Sequence, residues 1–245
     1  VSRHIPFERL HNVRDLGGLP GLEGRLVRTG VLYRADSLAK LDGADLDRFR
    51  ALGVRTVIDL RYPWEIEARG RVPESVDVEY FNFSIEHRPY DQAEIDPDVD
   101  PWRFLADRFA EVASDGAVEL RCVLESIAAA DDGALVFHCA SGKDRTGIVA
   151  ALVLSILGVS EADIATDFAL TELATDRLVA EWRVANPDRV LRWPSYGRAP
   201  EAIIRYFLAD LTSEHGSVEA YIRERLGVGD DVTAVLRARL LERRQ

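Results

Sequence analysis

The chain has 245 residues, 47% hydrophobic and 30% charged, which is enough to bury a full core in one α/β domain or at most two small ones. A net charge of −11 excludes general nucleic-acid binding, which needs a basic face, and excludes steering to anionic membranes by the field of the whole molecule. The longest apolar runs are too short to span a bilayer, and two cysteines make no disulfide framework.

The opening VSRHIPFERLHNVRDLGG carries no apolar signal core, so a cytoplasmic location is expected, with secretion by a non-signal route left open. GRLVRTGVLYRAD alternates and is rich in β-branched residues, which predicts paired strands. SLAKLDGADLDRFRALG places Leu38, Leu41, Leu46, Phe49 and Leu52 near helical spacing, with Gly53 to close the helix. VRTVIDLR reads as a short buried strand and VDVEYFNFSI as another. DQAEIDPDVDPW is acidic and broken by prolines, so it reads as a loop. One or two helices follow between Trp102 and Ala130, with Cys122 expected as a small core hydrophobe. GALVFHC has the continuous apolar character of a parallel-sheet strand. Beyond Gly158 the pattern is mainly helical. Ser160 is a candidate N-cap for a helix through EADIATDFALTELATDRLVAEWRVA, and three more helices are expected over Glu201–Leu211, Ser217–Leu226 and Val232–Arg243. Strands alternating with helices predict an α/β fold, a central and mainly parallel sheet flanked by helices. Residues 1–245 read as a single domain with a helical addition from about 160 onward, which could form a lid.

The chemistry concentrates in VFHCASGKDRTGIVAALVL, where a strand meets a cysteine, a polar run and then a helix. Such a turn gathers backbone N–H groups at a helix N-terminus, which favours a bound anion and a cysteine thiolate. The arc from Cys139 to Arg145 can wrap a tetrahedral dianion. Cys139 would lie under the phosphorus, with the amides of Ala140, Ser141, Gly142, Lys143, Asp144 and Arg145 around it. Arg145 supplies a planar fork for two oxygens, and Gly142 permits close backbone approach. A nucleotide-binding loop does not fit, because Phe137 stands where the first glycine belongs and Asp144 where a magnesium-binding hydroxyl belongs. A zinc site at His138 and Cys139 lacks a second ligand pair at suitable spacing. No cofactor or metal is expected.

HCASGKDRTG resembles the H-C-x-x-G-x-x-R-[ST]-G loop of the cysteine-dependent protein tyrosine phosphatase superfamily. Its GKDRTG form is similar to a bacterial subgroup of tyrosine/lipid phosphatases, typified by mycobacterial protein tyrosine phosphatase B. NVRDLGG, LYRADSL, LGVRTVIDLR and GSVEAYIRERLGV resemble that subgroup too, so the likeness covers nearly the whole chain. The resemblance implies that Cys139 is the nucleophile and Arg145 the phosphate clamp. His138 would hold the loop and favour the thiolate, and the Thr146 hydroxyl would help the thiolate leave. Lys143 adds local positive charge, which in the superfamily accompanies phosphoinositide hydrolysis; otherwise it is a solvated lysine.

The proton donor is less legible. The Trp-Pro-Asp loop of many superfamily members has no counterpart, since RWPS carries Ser195 in the place of the aspartate. Asp59 in VIDLR, at the carboxyl edge of the sheet, and Asp144 inside the loop rank above Asp91, Asp96, Asp98 and Asp100 of the acidic loop. Arg14 or Asp15 could pin the NVRDLGG turn to the site, and Arg34 and Arg61 are basic candidates for the pocket. The expected activity is phosphomonoester hydrolysis of phosphotyrosine, extending to phosphoserine/threonine or phosphoinositides, through a cysteinyl-phosphate. The alternatives are a phosphate-binding module without turnover, or an arsenate-reducing or sulfur-transfer enzyme. The last needs a resolving thiol, for which only Cys122 is available.

Overall fold

The strand Ala134–His138 is buried at every position, so it must be covered on both faces and paired on both edges. The computed structural model, which describes residues 3–85, 88, 91, 95, 96, 98–130, 133–191, 193 and 195–243, places it at the centre of a five-stranded sheet. The strands are β1 (Arg14–Asp15), β3 (Leu32–Ala35), β4 (Val54–Asp59), β5 (Glu79–Asn82) and β6 (Ala134–His138), in spatial order β1-β3-β6-β4-β5. All pairs are parallel except β1 with β3. A separate two-stranded ribbon joins β2 (Leu26–Val27) to β7 (Leu241–Glu242). GRLVRTGVLYRAD therefore yields two strands that do not pair with each other. Leu32–Ala35 is buried throughout and needs β1 and β6 as partners, which leaves β2 to the C-terminal end of the chain.

Alternation along the strands separates two apolar layers. Leu135 and Phe137 of β6, with Leu32 and Ile58, face the larger cluster. Ala134 and Val136, with Tyr33, Ala35 and Val57, face a smaller one built on Phe7, Leu10, Phe49, Val72 and Val76. The helices are α1 (Ala44–Ala51), α2 (Pro63–Arg69), α3 (Pro101–Asp115), α4 (Ala117–Ala129), α5 (Asp144–Ile156), α6 (Glu161–Ala169), α7 (Thr175–Ala185), α8 (Glu201–His215), α9 (Val218–Ala220) and α10 (Asp230–Leu240). α5 is buried from Arg145 to Ile156, and residues of α3, α4, α6, α8 and α10 share its cluster. Among the described residues, no helix is long and apolar enough to cross a membrane.

Two expected helices are interrupted. In the segment from Ser37, a 3-10 turn over Leu38–Lys40 is followed by Gly43 at φ 50°, and α1 starts only at Ala44. The helix starting after Ser160, whose side chain accepts from Asp163 N–H as expected of an N-cap, breaks into α6, a 3-10 turn over Leu170–Ala174, and α7. At the break, the Arg14 guanidinium takes the Asp167 carbonyl at 2.9 Å and the Thr171 hydroxyl at 3.3 Å, competing with the helical ladder. Cys122 is half-buried, not a core residue. The buried stripe of α4 runs through Leu120, Val123, Leu124 and Ile127, and Cys122 lies off it.

The register sets the place of the site. Ala35 of β3 and Asp59 of β4 both stand opposite His138, so three strands end together at their carboxyl edge. Loops leaving that edge of a parallel sheet converge on a crevice.

Candidate active site

Only Cys139–Lys143 separate β6 from α5. Each carbonyl of this turn meets a donor from the surrounding scaffold. His138 Nδ1 donates to Cys139 O at 3.1 Å, and Ser37 N–H to Ala140 O at 3.1 Å. Asn12 Nδ2 donates to Ser141 O at 3.0 Å, Arg34 to Gly142 O at 2.8 Å, and Gly147 N–H to Lys143 O at 2.7 Å. With the carbonyls taken by these donors, an anion on the cavity side would meet the loop amides at the N-terminus of α5. Gly142 makes this possible. It has φ 67°, and a Cβ there would lie 2.5 Å from Ala35 O. Cys139 sits inside the arc at 2% exposure.

The donors beneath the loop are themselves anchored. Asp167 of α6 binds Arg3 at 2.7 Å, Arg14 at 3.2 Å and Arg34 at 2.9 Å. Burial alone would raise the Asp167 carboxyl, but the three guanidinium groups hold it well below the usual carboxylate range. Asn12 is fixed by the same cluster through Arg14. Asp36 accepts from His11 and Asn12 N–H at 3.1 Å, and Asp15 from Gly17 and Gly30 N–H at 2.8 and 2.7 Å. NVRDLGG and LYRAD are thus the underside of the anion loop. Arg14, Arg34 and Arg61 are at most 1% exposed and do not line the cavity. Burial lowers the His138 pKa against the pull of Asp59, and its Nδ1 donates to Cys139 O.

Arg145 leaves the first turn of α5 and meets Glu65 in a two-pronged pair, 2.7 and 3.1 Å, with a further bond to Leu60 O at 3.2 Å. Its guanidinium also lies over the Tyr62 ring, 5.2 Å from the centroid. Burial would lower the pKa of Arg145, but Glu65 raises it well above the usual value. Burial would raise Glu65, and Arg145 more than offsets it, so both stay ionised. Glu65 in turn caps α2 by accepting from Tyr62 N–H at 2.9 Å.

Above the loop lies a cavity of about 460 Å³. Cys139, Ala140, Ser141, Lys143, Asp144 and Arg145 form its floor. Trp64 and Arg69 of α2 form one wall; Leu178, Glu181 and Trp182 of α7 form another, with Tyr196 between them. Trp182 and Tyr196 rings are 5.5 Å apart. Burial and the charges of Asp144 and Asp91 push the Tyr196 phenol up to about 12.

A thiol under a ring of peptide amides, with a prearranged guanidinium fork beside it, is built to hold and attack a phosphoryl group. Residues 5–242 match the tyrosine phosphatase family. The chain belongs to that family. It is similar to a Cupriavidus necator protein whose name assigns it to the tyrosine-protein phosphatases, with 33% identity over 93% of this chain and 86% of that one. A tyrosine-protein phosphatase of Nostoc commune is 27% identical over 90% of this chain and 78% of that one. The triple specificity protein phosphatase PtpB of Mycobacterium tuberculosis is 30% identical over 58% of this chain and 61% of that one.

The structure of this phosphatase separates the two aspartates that rank equally as proton donors in the sequence. Asp59 is fully buried and does not line the cavity. It is bound to Arg61 at 2.7 Å and accepts from the Tyr80 hydroxyl at 3.0 Å. His138 and Arg61 hold its carboxyl below the usual range against the effect of burial. With its oxygens bonded to Arg61 and Tyr80 and no place in the cavity lining, Asp59 stands where it can brace the ends of β4 and β5 rather than where it meets a leaving group. Asp144 lines the cavity with its side chain 27% exposed, and its Oδ1 is 3.3 Å from Lys143 Nζ. Of the acidic loop, Asp91 lines the cavity and pairs with Arg189. Asp96 accepts from Asp98 N–H, and Asp100 caps α3. Arg192 and Pro194 of RWPS lie outside the described residues.

Lys143 is not a solvated lysine. It is 2% exposed, between Asp144 and Arg198 O. Thr146 Oγ1 is buried and, among the described residues, has no hydrogen-bond partner, so its proton is free for the sulfur or for a bound oxyanion. Glu65 escapes the reading of the sequence. The signal that could have found it is YPWE, a proline at the first helical position with glutamate two residues on.

Proposed function

We propose that this phosphatase hydrolyses phosphotyrosyl monoesters through Cys139, with Asp144 as the proton donor, and that residues 1–245 work as one phosphatase domain. The observation that carries the reading is the union of Cys139, the donor-bound carbonyls of its loop and the Glu65-braced Arg145 on one cavity floor. The phosphate would sit on the loop amides with two oxygens on Arg145. The Cys139 thiolate attacks phosphorus in line; the S–P bond forms as the P–O ester bond breaks, and Asp144 delivers its proton to the leaving oxygen. Water then attacks phosphorus, its proton returns to Asp144, and the thiolate leaves with a hydrogen bond from Thr146. Trp64, Trp182 and Tyr196 form walls suited to an aryl ring.

A phosphoinositide is the second reading. It rests on Lys143, which brings a cation into a loop whose chain is otherwise strongly acidic. A reducing cytoplasm suits an enzyme with a thiol nucleophile and two free cysteines.

The test is hydrolysis of p-nitrophenyl phosphate in EDTA. Cys139→Ser is expected to abolish turnover and retain phosphate binding. Asp144→Asn should lose far more activity on alkyl or phenyl phosphates, which need a proton, than on p-nitrophenyl phosphate, while Asp59→Asn should show no such leaving-group dependence. Turnover by the serine variant, or leaving-group dependence in Asp59→Asn only, would overturn these assignments.

A further inference from the structure

Three cations line the active-site cavity, and two are committed. Arg145 is held by Glu65, and Lys143 by Asp144 and Arg198 O. Arg69 is exposed at the cavity wall and, among the described residues, has no hydrogen-bond or ion-pair partner. The carboxylates nearest the mouth are taken: Asp91 by Arg189, and Glu181 by His11 and Lys40. A guanidinium left over in a protein of net charge −11 is a local reversal of the field that an anionic substrate meets.

Its position follows from the helix that carries it. Glu65 and Arg69 are four residues apart on α2 and so share a face, with an axial offset of about 6 Å. Glu65 fixes Arg145 and hence the place of the phosphate. Arg69 is one helical turn along from Glu65 and lines the same cavity, which suits it to a group beside the phosphate. Trp64, from the same helix, lines the cavity together with Trp182 and Tyr196. Arg69 also bears on the Tyr196 phenol, where it opposes the upward push of burial and of Asp144.

We propose that Arg69 is a specificity-determining residue that pairs with an acidic side chain next to the phosphotyrosine of a peptide substrate. The inference rests on the phosphotyrosine reading above. A carboxylate offers the planar geometry that a free guanidinium fork matches with two parallel bonds. The aromatic walls favour an aryl ester over a polyol, which selects a phosphopeptide over an inositol headgroup as the occupant.

The experiment compares two phosphotyrosyl hexapeptides, one with glutamates flanking the phosphotyrosine and one with glutamines in their place. The parent protein should favour the glutamate peptide in kcat/KM by about two- to fivefold, the yield of one exposed ion pair, and salt should shrink the ratio. Arg69→Gln should bring the ratio to one, and Arg69→Glu should invert it. Because each ratio is taken within one variant, a change in its fold or general activity cancels. A ratio of one in the parent, or a ratio that both substitutions leave in place, overturns the inference. So does a preference for inositol bisphosphates over monophosphates that vanishes in Arg69→Gln while the peptide ratio stays at one. Failure of the parent to hydrolyse either peptide would instead overturn the phosphotyrosine reading on which it rests.

Discussion

Arg145 depends on one carboxylate. Glu65 grips it with two bonds inside a site where a free guanidinium would swing toward solvent or toward Leu60 O. Glu65→Gln removes the charge and one acceptor, which leaves Arg145 free to rotate away from the place proposed for the phosphate. The expected result is a fall of about ten- to hundredfold in kcat/KM for an aryl phosphate, the scale of a misplaced positioning group. Phosphate inhibition should weaken in parallel. Steady-state kinetics with phosphate as inhibitor would read both, and parental values would mean that Leu60 O and the Tyr62 ring hold Arg145 unaided. Residue chemistry in the sequence points to Cys139 and Arg145 because their roles need those atoms in that order. It could not point to Glu65, whose partner lies 80 residues away, nor show the surroundings of Asp59, whose neighbours Tyr80 and His138 come from other strands.

At the scale of the element, the anion loop is defined by what surrounds it. Ala35, Ser37, Asn12 and Arg34 come from the chain's first 40 residues and press on a turn more than 100 residues later. Gly142→Ala puts a methyl group against Ala35 O while asking a non-glycine residue to hold φ 67°. The two costs together should lower stability by about 1–3 kcal/mol or more. Because relief requires the loop to move off β3, vanadate binding should fall as well. Urea unfolding and vanadate titration of the same variant test both, and a stable variant with parental vanadate affinity would contradict the close approach. The break between α6 and α7 belongs to this scale too. Its apolar pattern is continuous with a helix, and at the break Arg14, arriving from β1, shares the Asp167 carbonyl with the Leu170 N–H as the chain tightens into a 3-10 turn.

Over the whole molecule, several buried groups titrate lower folded than unfolded: Asp167, Asp59 and Glu65, held down by arginines with His138 also acting on Asp59, and His138 itself, held down by burial. In each case the unfolded chain binds more protons, so stability rises with pH across the window. His138 contributes a loss as pH falls below about 6.5, its ordinary value, because it must then fold without its proton. The carboxylates contribute stability that is present above about 4 and lost as pH falls toward their depressed folded values. Self-repulsion alone would place the optimum near the pI of 5.0. The buried network predicts an optimum above pH 6.5 instead, with a steep decline below 4. Urea midpoints measured from pH 3 to 8 decide between them, and a maximum at pH 5 would refute the role given to the network. Asp167→Asn should flatten the acid decline and cost several kcal/mol at neutral pH, because it leaves three arginines around a neutral side chain.

Local order and periodicity determined the α/β class, the strand–loop–helix that carries Cys139 and Arg145, and the Ser160 cap, because each depends on residues adjacent in the chain. Tertiary structure decided which of Asp59 and Asp144 lines the cavity, that Lys143 is buried, that β2 leaves β3 for β7, and that α7 supplies a wall of the site. The reason is physical. A short-range pattern fixes which backbone and side-chain groups are presented, but the direction of a charge is set by the partner that desolvates and pairs with it, and those partners come from distant parts of the chain.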